Sequence, residues 1–539
     1  MPADSIFFNG RIVTMSPEKP DASAFAVVGD RFRAVGSDDQ IRQLAGTRTP
    51  AVDLEGRTVV PGFIETHSHL SLYAMTLLQA DCKTPPNQNI DDIKHRIAEM
   101  AAREKPDQWI KGWGYDDTLI AEKRHLTVQD LDEAAPDHPV FVSHTSGHLA
   151  YINSKAMAVS GIDAHTPQPE GGEIDKDDNR VPTGLLKEEG ALALVMSHIP
   201  PYTVSELRDA FKRVTEYYHR FGVTSTHDGA IGYFRHGPQV MKTYWRMHNE
   251  GELNIRVYLT LIEEIYRKLL KLGIGRGFGS DLLKMGSLKL FQDGSIQAFT
   301  AALNEPYRDR PDISGELLID QEELNRRVKE YNEDGLQIAI HANGDRAVES
   351  VLQAFEAAQA HHSVRANRHM IIHSQLATEP QILRMAQLGI IPNFFVNHVY
   401  YWGDRHESIF LGAERAKRID PLNTARKHGL PFCLHSDLPV TPVNPLFSIH
   451  CAANRMTRNG KVLGPEERVA PAEGLKAYTV NAARCSFEEQ NKGIIGPGKL
   501  ADFAVLSNNP LSVPHESIKD IQVMATYLGG RRVYEKDGE

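Results

Sequence analysis

The middle of the chain alternates short apolar runs with longer segments whose apolar positions recur at helical spacing. Eight runs of strand length occur at residues 62–70, 222–229, 255–262, 286–294, 336–345, 369–376, 390–396 and 430–437. Most intervals between them hold a helix-like segment, such as DQEELNRRVKEYNEDG, which ends at a glycine or a polar residue. Buried parallel strands are typically near-continuous apolar runs, so this alternation predicts an α/β fold with a closed (β/α)8 TIM barrel.

The two ends of the chain have a different pattern. Residues 5–60 contain short β-type runs with hairpin signals at Asn9-Gly10 and Gly29-Asp30, and the C-terminal segment contains similar runs with a Gly-Gly turn. We therefore predict one small composite β-domain from residues 1–60 and 486–539, with the barrel over 61–485. The interval of about 75–205 fits no barrel unit and is predicted to be an insertion after the first barrel strand.

Composition narrows the classes of protein. The chain has 539 residues, a formal net charge of -10, 41% hydrophobic and 24% charged residues, values typical of a soluble globular protein. The absence of a basic block argues against nucleic acid, and the absence of a long apolar run argues against a membrane span. Four scattered cysteines and an N-terminus without a signal pattern favour a reducing, cytoplasmic location.

Polar side chains able to bind a metal ion follow the predicted barrel strands. Active sites of such barrels lie at the C-terminal ends of the strands. His67 and His69 are two residues apart on one strand, so both can project from the same face. Imidazole suits divalent transition metals, of which zinc is the commonest in such sites. The candidate ligands at successive strand ends are His67, His69, Lys289, His341, His373 and Asp437.

Each of these residues has an ordinary structural explanation when it is taken alone. A lone His-x-His pair is more often a hydrogen-bonded structural pair, Lys289 could extend to the surface, and Asp437 could cap a helix. All of these explanations would have to hold at once, in one register along the strands. Their combination therefore favours a metal site.

Several motifs resemble one known family. The stretch VVPGFIETHSHL resembles the metal-binding signature of the amidohydrolase superfamily, as do GLKAYTVNAARC and GIIGPGKLADFAVL near the C-terminus. The motifs GWGYDD, GHLAYINSKAM, KLFQDGSIQAFTAAL, HANGDRAV and HSDLPVTPVNPL resemble its YtcJ-like branch, which includes N-substituted formamide deformylases. The resemblance covers essentially the whole chain, and it implies a distorted (β/α)8 barrel with a small β-sandwich domain built from both chain ends.

The resemblance also implies roles for the six strand-end residues. His67, His69 and Asp437 would bind one metal ion, and His341 and His373 would bind a second ion or complete the site of a single one. Lys289 matches a lysine that is carboxylated in many binuclear members, although an unmodified lysine beside one ion stays open. Asp437 and Lys289 are the candidate catalytic residues, with Asp437 taking a proton from water. Relatives are commonly homodimers, which makes a homodimer an expectation here too.

Substrate contacts are less specific in the sequence. We expect His148 or His398 to stabilise an oxyanion, with a surface position for His398 as the alternative, and we expect Trp113, Tyr115 and Trp402 to form an apolar pocket. Ordinary packing is the alternative for each aromatic residue. The chain departs from the family pattern at Ile372, where relatives carry an acidic residue, and at 297–299, where they often carry an arginine.

These features predict a metal-dependent hydrolase that cleaves the C-N bond of a small molecule by a metal-activated hydroxide, with an N-substituted formamide or N-acyl compound as the first expectation. Since the same nucleophile attacks other carbonyls, an ester, lactone or carbamate is the first alternative. A non-catalytic binding or regulatory protein that retains the fold is the second.

Overall fold

A computed structural model describes residues 2–233 and 236–536. The chain divides into two compact units, which are described separately. The first, here called the barrel unit, contains residues 1–70 and 212–539, and the second unit contains residues 71–211.

The barrel unit is built on one sheet of eight parallel strands in sequential order, as the apolar runs predicted. The strands, numbered β1 to β8, are Phe63–Ser68, Val223–Ile231, Arg256–Ile262, Leu283–Phe291, Ile338–Ala342, Met370–His373, Ile391–Phe394 and Cys433–Leu434. Between β1 and β8 the hydroxyl of Thr66 donates to the carbonyl oxygen of Leu434 at 3.0 Å. The sheet is thus nearly closed, and the predicted fold class is confirmed.

Helices follow most of the barrel strands. In β/α order they are Gly237–Asn249, Glu263–Leu270, Gln321–Glu333, Asp345–Gln359, Glu379–Leu388, Asn397–Arg405, Ala413–Ala416, Leu422–Lys427, Pro445–Asn454, Pro471–Ala477 and Val480–Cys485. Two more helices, Leu70–Thr76 and Val204–His219, contain the points where the chain passes between the units. The helix Glu379–Leu388 shows why such segments form, since a Thr378 capping box begins it and the left-handed Gly389 ends it.

Strands from both chain ends combine into two further sheets. One has the order Arg31–Gly36, Ala24–Val28, Ser5–Phe8, Ala51–Asp53, and the other Arg531–Glu535, Val523–Leu528, Phe503–Leu506, Thr58–Pro61, Arg11–Val13, Asp21–Ala22. The ring of Phe7 lies 5.1 Å from that of Phe503 and 5.3 Å from that of Tyr527, so aromatic side chains fill the space between the sheets.

Two of the three hairpin predictions hold at these ends. Gly29-Asp30 and Gly529-Gly530 each join a pair of antiparallel strands. The hairpin at Asn9-Gly10 is wrong, because the strands on either side of it belong to different sheets. Asn9 has a positive φ of 57°, as the turn chemistry suggests, but the chain there crosses from one sheet to the other.

The second unit has its own six-stranded mixed sheet. Its strands, in spatial order, are Glu173–Lys176, Pro182–Lys187, Leu149–Ile152, Val140–His144, Ile110–Tyr115 and Ala80–Asp81. Its helices are Ile90–Ala101, Val128–Ala134, Ser154–Ser160 and Glu188–Met196. Among the described residues of the whole chain, no helix combines the length and apolar character that crossing a bilayer requires.

Candidate metal centre

His67 and His69 lie at the C-terminal end of β1, with their ring centroids 5.0 Å apart. The Nδ1 atom of His69 is 2.8 Å from the carbonyl oxygen of Gly229, at the end of β2. Since a carbonyl oxygen only accepts, Nδ1 carries the hydrogen and donates it. The neutral ring is thereby fixed in the tautomer that leaves the lone pair on Nε2.

Asp437 follows β8 and faces both histidines. Its Oδ1 atom is 3.2 Å from Nε2 of His69 and 3.5 Å from Nε2 of His67. These three residues offer ligand atoms that all lie within 4.8 Å of one another. The end of β1 therefore lies next to the segment that follows β8 at the mouth of the barrel, as expected for the first and last strands of a closed barrel.

His341 and His373, on β5 and β6, form a second pair. The Nε2 atom of His341 is 3.0 Å from the carbonyl oxygen of Gly294, so Nε2 donates and Nδ1 keeps its lone pair. That Nδ1 lies 3.1 Å from Nε2 of His373, which is itself 4.0 Å from Oδ2 of Asp437. The second pair thus adjoins the first group of ligands.

Lys289 projects from β4 into the same cluster. Its Nζ atom is 3.5 Å from Nε2 of His67, and the side chain is buried. Burial lowers the pKa of Lys289 to about 7, because a charged ammonium loses its hydration there. A neutral amine at this position can react with carbon dioxide, which is the modification that the sequence resemblance implies.

The protonation states of the cluster suit a cation. Burial and the neighbouring Lys289 hold the pKa of His67 well below its usual value, and burial lowers that of His341 to about 4. Burial opposes ionisation of Asp437, but the contact with His69 outweighs it and lowers the pKa of Asp437 to about 2. At neutral pH the site therefore combines the neutral imidazoles of His67 and His341 with the carboxylate of Asp437.

This arrangement fits a divalent metal ion. The Nε2 atom of His69 faces Oδ1 of Asp437, and this buried oxygen accepts no well-formed hydrogen bond from the described residues. A cation between the two groups would give this oxygen a partner. The nitrogen and oxygen donors are those that zinc and similar ions bind.

Strained backbone accompanies the ligands. Positive φ angles of 72° at His373, 50° at Ser374 and 55° at Asp437 are unusual for residues with a side chain. Each costs about 1–3 kcal/mol and persists only where the surroundings enforce it. The strain coincides with the cluster, which is consistent with a functional site.

The predicted pocket residues of the second unit have different positions. Tyr115 is fully buried in the core of that unit, and its hydroxyl donates to the carbonyl oxygen of Arg124 at 2.7 Å. Tyr115 therefore packs as a core residue rather than lining a pocket, which corrects the expectation. Trp113 is half-buried on the same strand, and His148 is exposed and contacts Glu188 at 2.9 Å. Substrate contacts by these two residues stay predictions.

His398 and Trp402 lie in the barrel unit, on the helix after β7. The ring of His398 is 6.2 Å from that of His373 and 5.7 Å from that of Trp402. His398 is buried, so the alternative of a surface loop position is wrong. Trp402 is half-buried and, with Phe395, gives this side of the cluster an aromatic wall.

His435, which is not among the predicted ligands, is fully buried between two of them. Its ring lies 5.1 Å from that of His67 and 5.1 Å from that of His373, and it stacks on Phe395. The signal was present, because His435 precedes Asp437 by two residues, the same spacing as His67 and His69. Glu65 was also missed; it accepts hydrogen bonds from Ser436 and thereby ties β1 to the segment after β8.

The second unit contains another group of potential ligands, Asp116, Asp117 and His144. The backbone N–H of Ser146 donates to Nδ1 of His144 at 3.0 Å, which places the hydrogen of the neutral ring on Nε2. Nε2 lies 3.1 Å from a carboxylate oxygen of Asp117. A histidine–aspartate contact accounts for this group without an ion.

Comparison with known proteins agrees with the site. Residues 51–534 match the model of the amidohydrolase family. YtcJ of Bacillus subtilis (strain 168), which is named as an amidohydrolase, is 30% identical over 99% of both chains. An N-substituted formamide deformylase of Arthrobacter pascens is 28% identical over 99% of both chains. The crystal structure of an uncharacterized metal-dependent hydrolase from Pyrococcus furiosus is 28% identical, with a TM-score of 0.78, and covers 94% of this chain and 100% of its own.

Proposed function

The chain belongs to the amidohydrolase family of metal-dependent hydrolases, and from this premise we propose that it hydrolyses the C-N bond of an N-substituted formamide or N-acyl compound. The observation that carries the proposal is the convergence of His67, His69 and Asp437, whose ligand atoms all lie within 4.8 Å of one another. The family is one of hydrolases, and two relatives are named as an amidohydrolase and a deformylase. The alternative of a non-catalytic protein is therefore set aside.

Two groups of ligands would hold the metal. His67, His69 and Asp437 would bind one ion, and His341 with His373 would bind a second, with a carboxylated Lys289 between the two. We propose zinc, because imidazole nitrogen and carboxylate oxygen form its usual ligand set. When bound, such an ion lowers the pKa of water and polarises a carbonyl group.

The side chains of the site would carry the proton and orient the ligands. Asp437, ionised at neutral pH, accepts a proton from the attacking water and delivers it to the nitrogen of the leaving amine. Hydrogen bonds to the carbonyl oxygens of Gly229 and Gly294 keep His69 and His341 in the tautomers that bind metal. Lys289 is buried beside His67, within reach of both groups of ligands.

Two features support an uncharged substrate with an apolar substituent. The segment 294–299, next to the site in sequence, contains no lysine or arginine that could bind an anionic group. Phe395, His398 and Trp402 form an aromatic wall beside His373, which suits an N-aryl or N-alkyl group. The deformylase among the relatives carries such a substrate in its name.

The test is a panel of matched carbonyl compounds. N-aryl and N-alkyl formamides, the corresponding acetamides, esters, lactones and carbamates are incubated with the zinc-loaded protein, and products are identified by mass. We expect formamides or N-acyl compounds to give the highest kcat/KM. Faster turnover of esters or lactones than of any amide would contradict the proposed substrate class. Fewer than about one metal ion per chain would contradict the metal site itself.

A further inference from the structure

An apolar cavity lies on the outer face of the barrel, where the helices Gly237–Asn249 and Glu263–Leu270 form two of its walls. Its volume is about 430 Å³, which is in the range of cavities that bind small molecules. Among the described residues that line it, Lys242 is the one charged side chain, and none is a carboxylate. The cavity therefore combines an apolar interior with a single positive charge.

The cavity is separate from the metal centre. Met285 of β4 lines it, whereas the preceding residue, Lys284, points to the other face of the strand and contacts Glu488 at 2.9 Å. The candidate ligand Lys289 lies further along β4, about 13 Å from Met285 at the usual rise of a strand. A molecule bound in the cavity would therefore not touch the metal ligands.

The cavity exists because one barrel helix is too short to cover its strand. The helix Glu263–Leu270 has 8 residues and is about 12 Å long. The strand β3 before it has 7 residues and is about 23 Å long. The segment 273–279, GIGRGFG, covers the remaining part, and its side chains Ile274 and Phe278 line the cavity.

Backbone hydrogen bonds hold this glycine-rich segment in place. The N–H of Gly277 donates to the carbonyl oxygen of Met285 at 2.8 Å, and the N–H of Met285 donates to that of Phe278 at 2.8 Å. A Cβ atom on Gly279 would lie 2.1 Å from the carbonyl oxygen of Leu283, so the close approach of the chain here requires glycine. One wall of the cavity is thus fixed by the backbone.

The opposite wall is tied to the same segment. Trp245 lines the cavity from the helix Gly237–Asn249, and its ring lies 6.2 Å from that of His248, with the two planes 24° apart. The Nε2 atom of His248 is 2.8 Å from Oγ of Ser280. Because both walls are held by hydrogen bonds, the cavity is present without a ligand, which lowers the cost of binding.

Two aromatic side chains at the cavity are unusually exposed. The relative exposure of Trp245 is 53% and that of Phe278 is 48%, although large aromatic residues are normally well buried. An exposed apolar patch of this kind marks a binding site more often than an ordinary surface.

Lys242 supplies the charge at this patch. It lies three residues before Trp245 on the helix, so the two side chains share a face. It lines the cavity and is also exposed, so its side chain reaches the opening. Within the part of the chain that the structure describes, its ammonium group has no ion pair or hydrogen bond. An ammonium group at the opening of an apolar cavity is complementary to an anion with an apolar body.

We propose that this cavity binds a small monocarboxylate with an apolar body, such as a medium-chain fatty acid. The apolar body lies between Trp245, Phe278 and Met285, and the carboxylate accepts a hydrogen bond from the ammonium group of Lys242. A small molecule fits better than a second copy of the chain, because a stable dimer buries about 800 Å² on each partner. The site lies outside the metal centre and does not depend on the reaction proposed above.

The binding test uses the zinc-loaded full-length protein with octanoate, octanol and butanoate, measured by isothermal titration calorimetry. We expect octanoate to bind about fivefold more tightly than octanol, because it adds an ion pair. It should bind about 100-fold more tightly than butanoate, because its longer chain removes more apolar surface from water. The proposal is overturned if octanoate does not bind, or if it binds no more tightly than octanol or butanoate.

Two variants locate the site. Lys242→Met should lower the affinity for octanoate about fivefold and leave that for octanol unchanged. Met241→Trp places a larger ring in the cavity and should weaken the binding of both compounds about 10-fold or more. Octanoate affinity that is unchanged in both variants would place the ligand elsewhere, the metal centre included, and would overturn the proposal.

The matched control is Lys427→Met. Lys427 is exposed on the helix Leu422–Lys427 and does not line the cavity, so this variant should bind octanoate as the wild type does. If Met241→Trp does not fold, Lys242→Met decides the matter, because Lys242 is exposed and its replacement leaves the core intact. An equal loss of affinity in Lys427→Met and Lys242→Met would show a general effect of charge and would overturn the proposal.

Analytical ultracentrifugation distinguishes a second copy of the chain as the occupant. We expect the same association state with and without octanoate, and in Met241→Trp. Conversion of a dimer to a monomer by octanoate or by Met241→Trp would show that a second copy covers the cavity, and it would overturn the proposal. None of these measurements needs turnover, so failure of the compound panel would contradict the proposed function and leave this site unaffected.

Discussion

The Nδ1 atom of His69 donates to the carbonyl oxygen of Gly229 across 2.8 Å, and this hydrogen bond decides which nitrogen of the ring faces the metal centre. Gly229 also leaves room for His67. A methyl group on Gly229 would lie 2.8 Å from Cε1 of His67 and 3.0 Å from the carbonyl oxygen of Ser68. Both contacts are shorter than van der Waals separation, so a side chain at this position must displace a ligand.

We therefore expect Gly229→Ala to weaken metal binding about 10- to 100-fold, the usual effect of disturbing the support of a metal ligand. Metal affinity is measured by competition with a chelator of known affinity, and folding by circular dichroism. The control is Gly275→Ala, where the nearest atom to the added methyl group is 3.5 Å away. Unchanged affinity in the folded Gly229→Ala variant would contradict the steric argument.

The second prediction concerns Lys289. Since burial lowers its pKa to about 7, the amine is substantially neutral at physiological pH and able to form a carbamate with carbon dioxide. We expect protein loaded with zinc in the presence of bicarbonate to bind two ions per chain, as a bridging anion requires. Lys289→Met should bind one ion, and a short carboxylic acid should partly restore the second. Two tightly bound ions in Lys289→Met would contradict a bridging role for this residue.

Much of the barrel could be predicted from the sequence, because buried parallel strands are apolar along their whole length and stand apart from the amphipathic helices. The histidines and Asp437 could then be identified as candidate ligands, because they lie at the C-terminal ends of the predicted strands. Glu65 could not be found in this way, because it accepts its hydrogen bonds from Ser436, which lies 371 positions further along the chain. Tyr115 was expected to line a pocket but lies in the core of the second unit, because an aromatic residue in a strand packs equally well in either place.

The sequence pattern also does not predict which distant segments of the chain come into contact. Asn9-Gly10 has the local chemistry of a hairpin, but which strands pair is decided by the packing of two sheets around Phe7 and Phe503. In the same way, the proximity of His435 to His67 follows from the near closure of the barrel rather than from a local motif.

The third prediction concerns stability at low pH. Glu488 is buried and contacts the ammonium groups of Lys284 at 2.9 Å and Lys492 at 2.7 Å. Burial raises its pKa, but the two lysines outweigh this and lower the value to about 2 from the usual 4.5. A depressed pKa contributes stability above the unfolded value, and this contribution is lost as the pH falls from about 4.5 towards 2.

Glu488→Gln should therefore destabilise the fold at pH 7 by about 3 kcal/mol, because it leaves the buried ammonium group of Lys492 and the half-buried one of Lys284 without their partner. The thermal unfolding midpoint, measured by differential scanning fluorimetry, should fall at pH 7, and its difference from the wild type should shrink as the pH approaches 3. Glu264→Gln breaks an exposed ion pair with Lys268 and should leave the midpoint unchanged. A difference that does not depend on pH would contradict the ionised state of Glu488.

The last prediction separates the two tasks assigned to Asp437, binding of the ion and transfer of the proton. In Asp437→Asn the amide oxygen remains a possible ligand, but it cannot accept a proton at neutral pH. We expect kcat to fall by about 100-fold or more, whereas zinc content falls less, as measured by elemental analysis after gel filtration. His67→Ala, which removes a ligand without touching the proton acceptor, should instead lower zinc content and activity in parallel, and added zinc should recover part of its activity. Recovery of Asp437→Asn by zinc to the same extent would show that binding alone was lost, and it would remove Asp437 from the proton-transfer step.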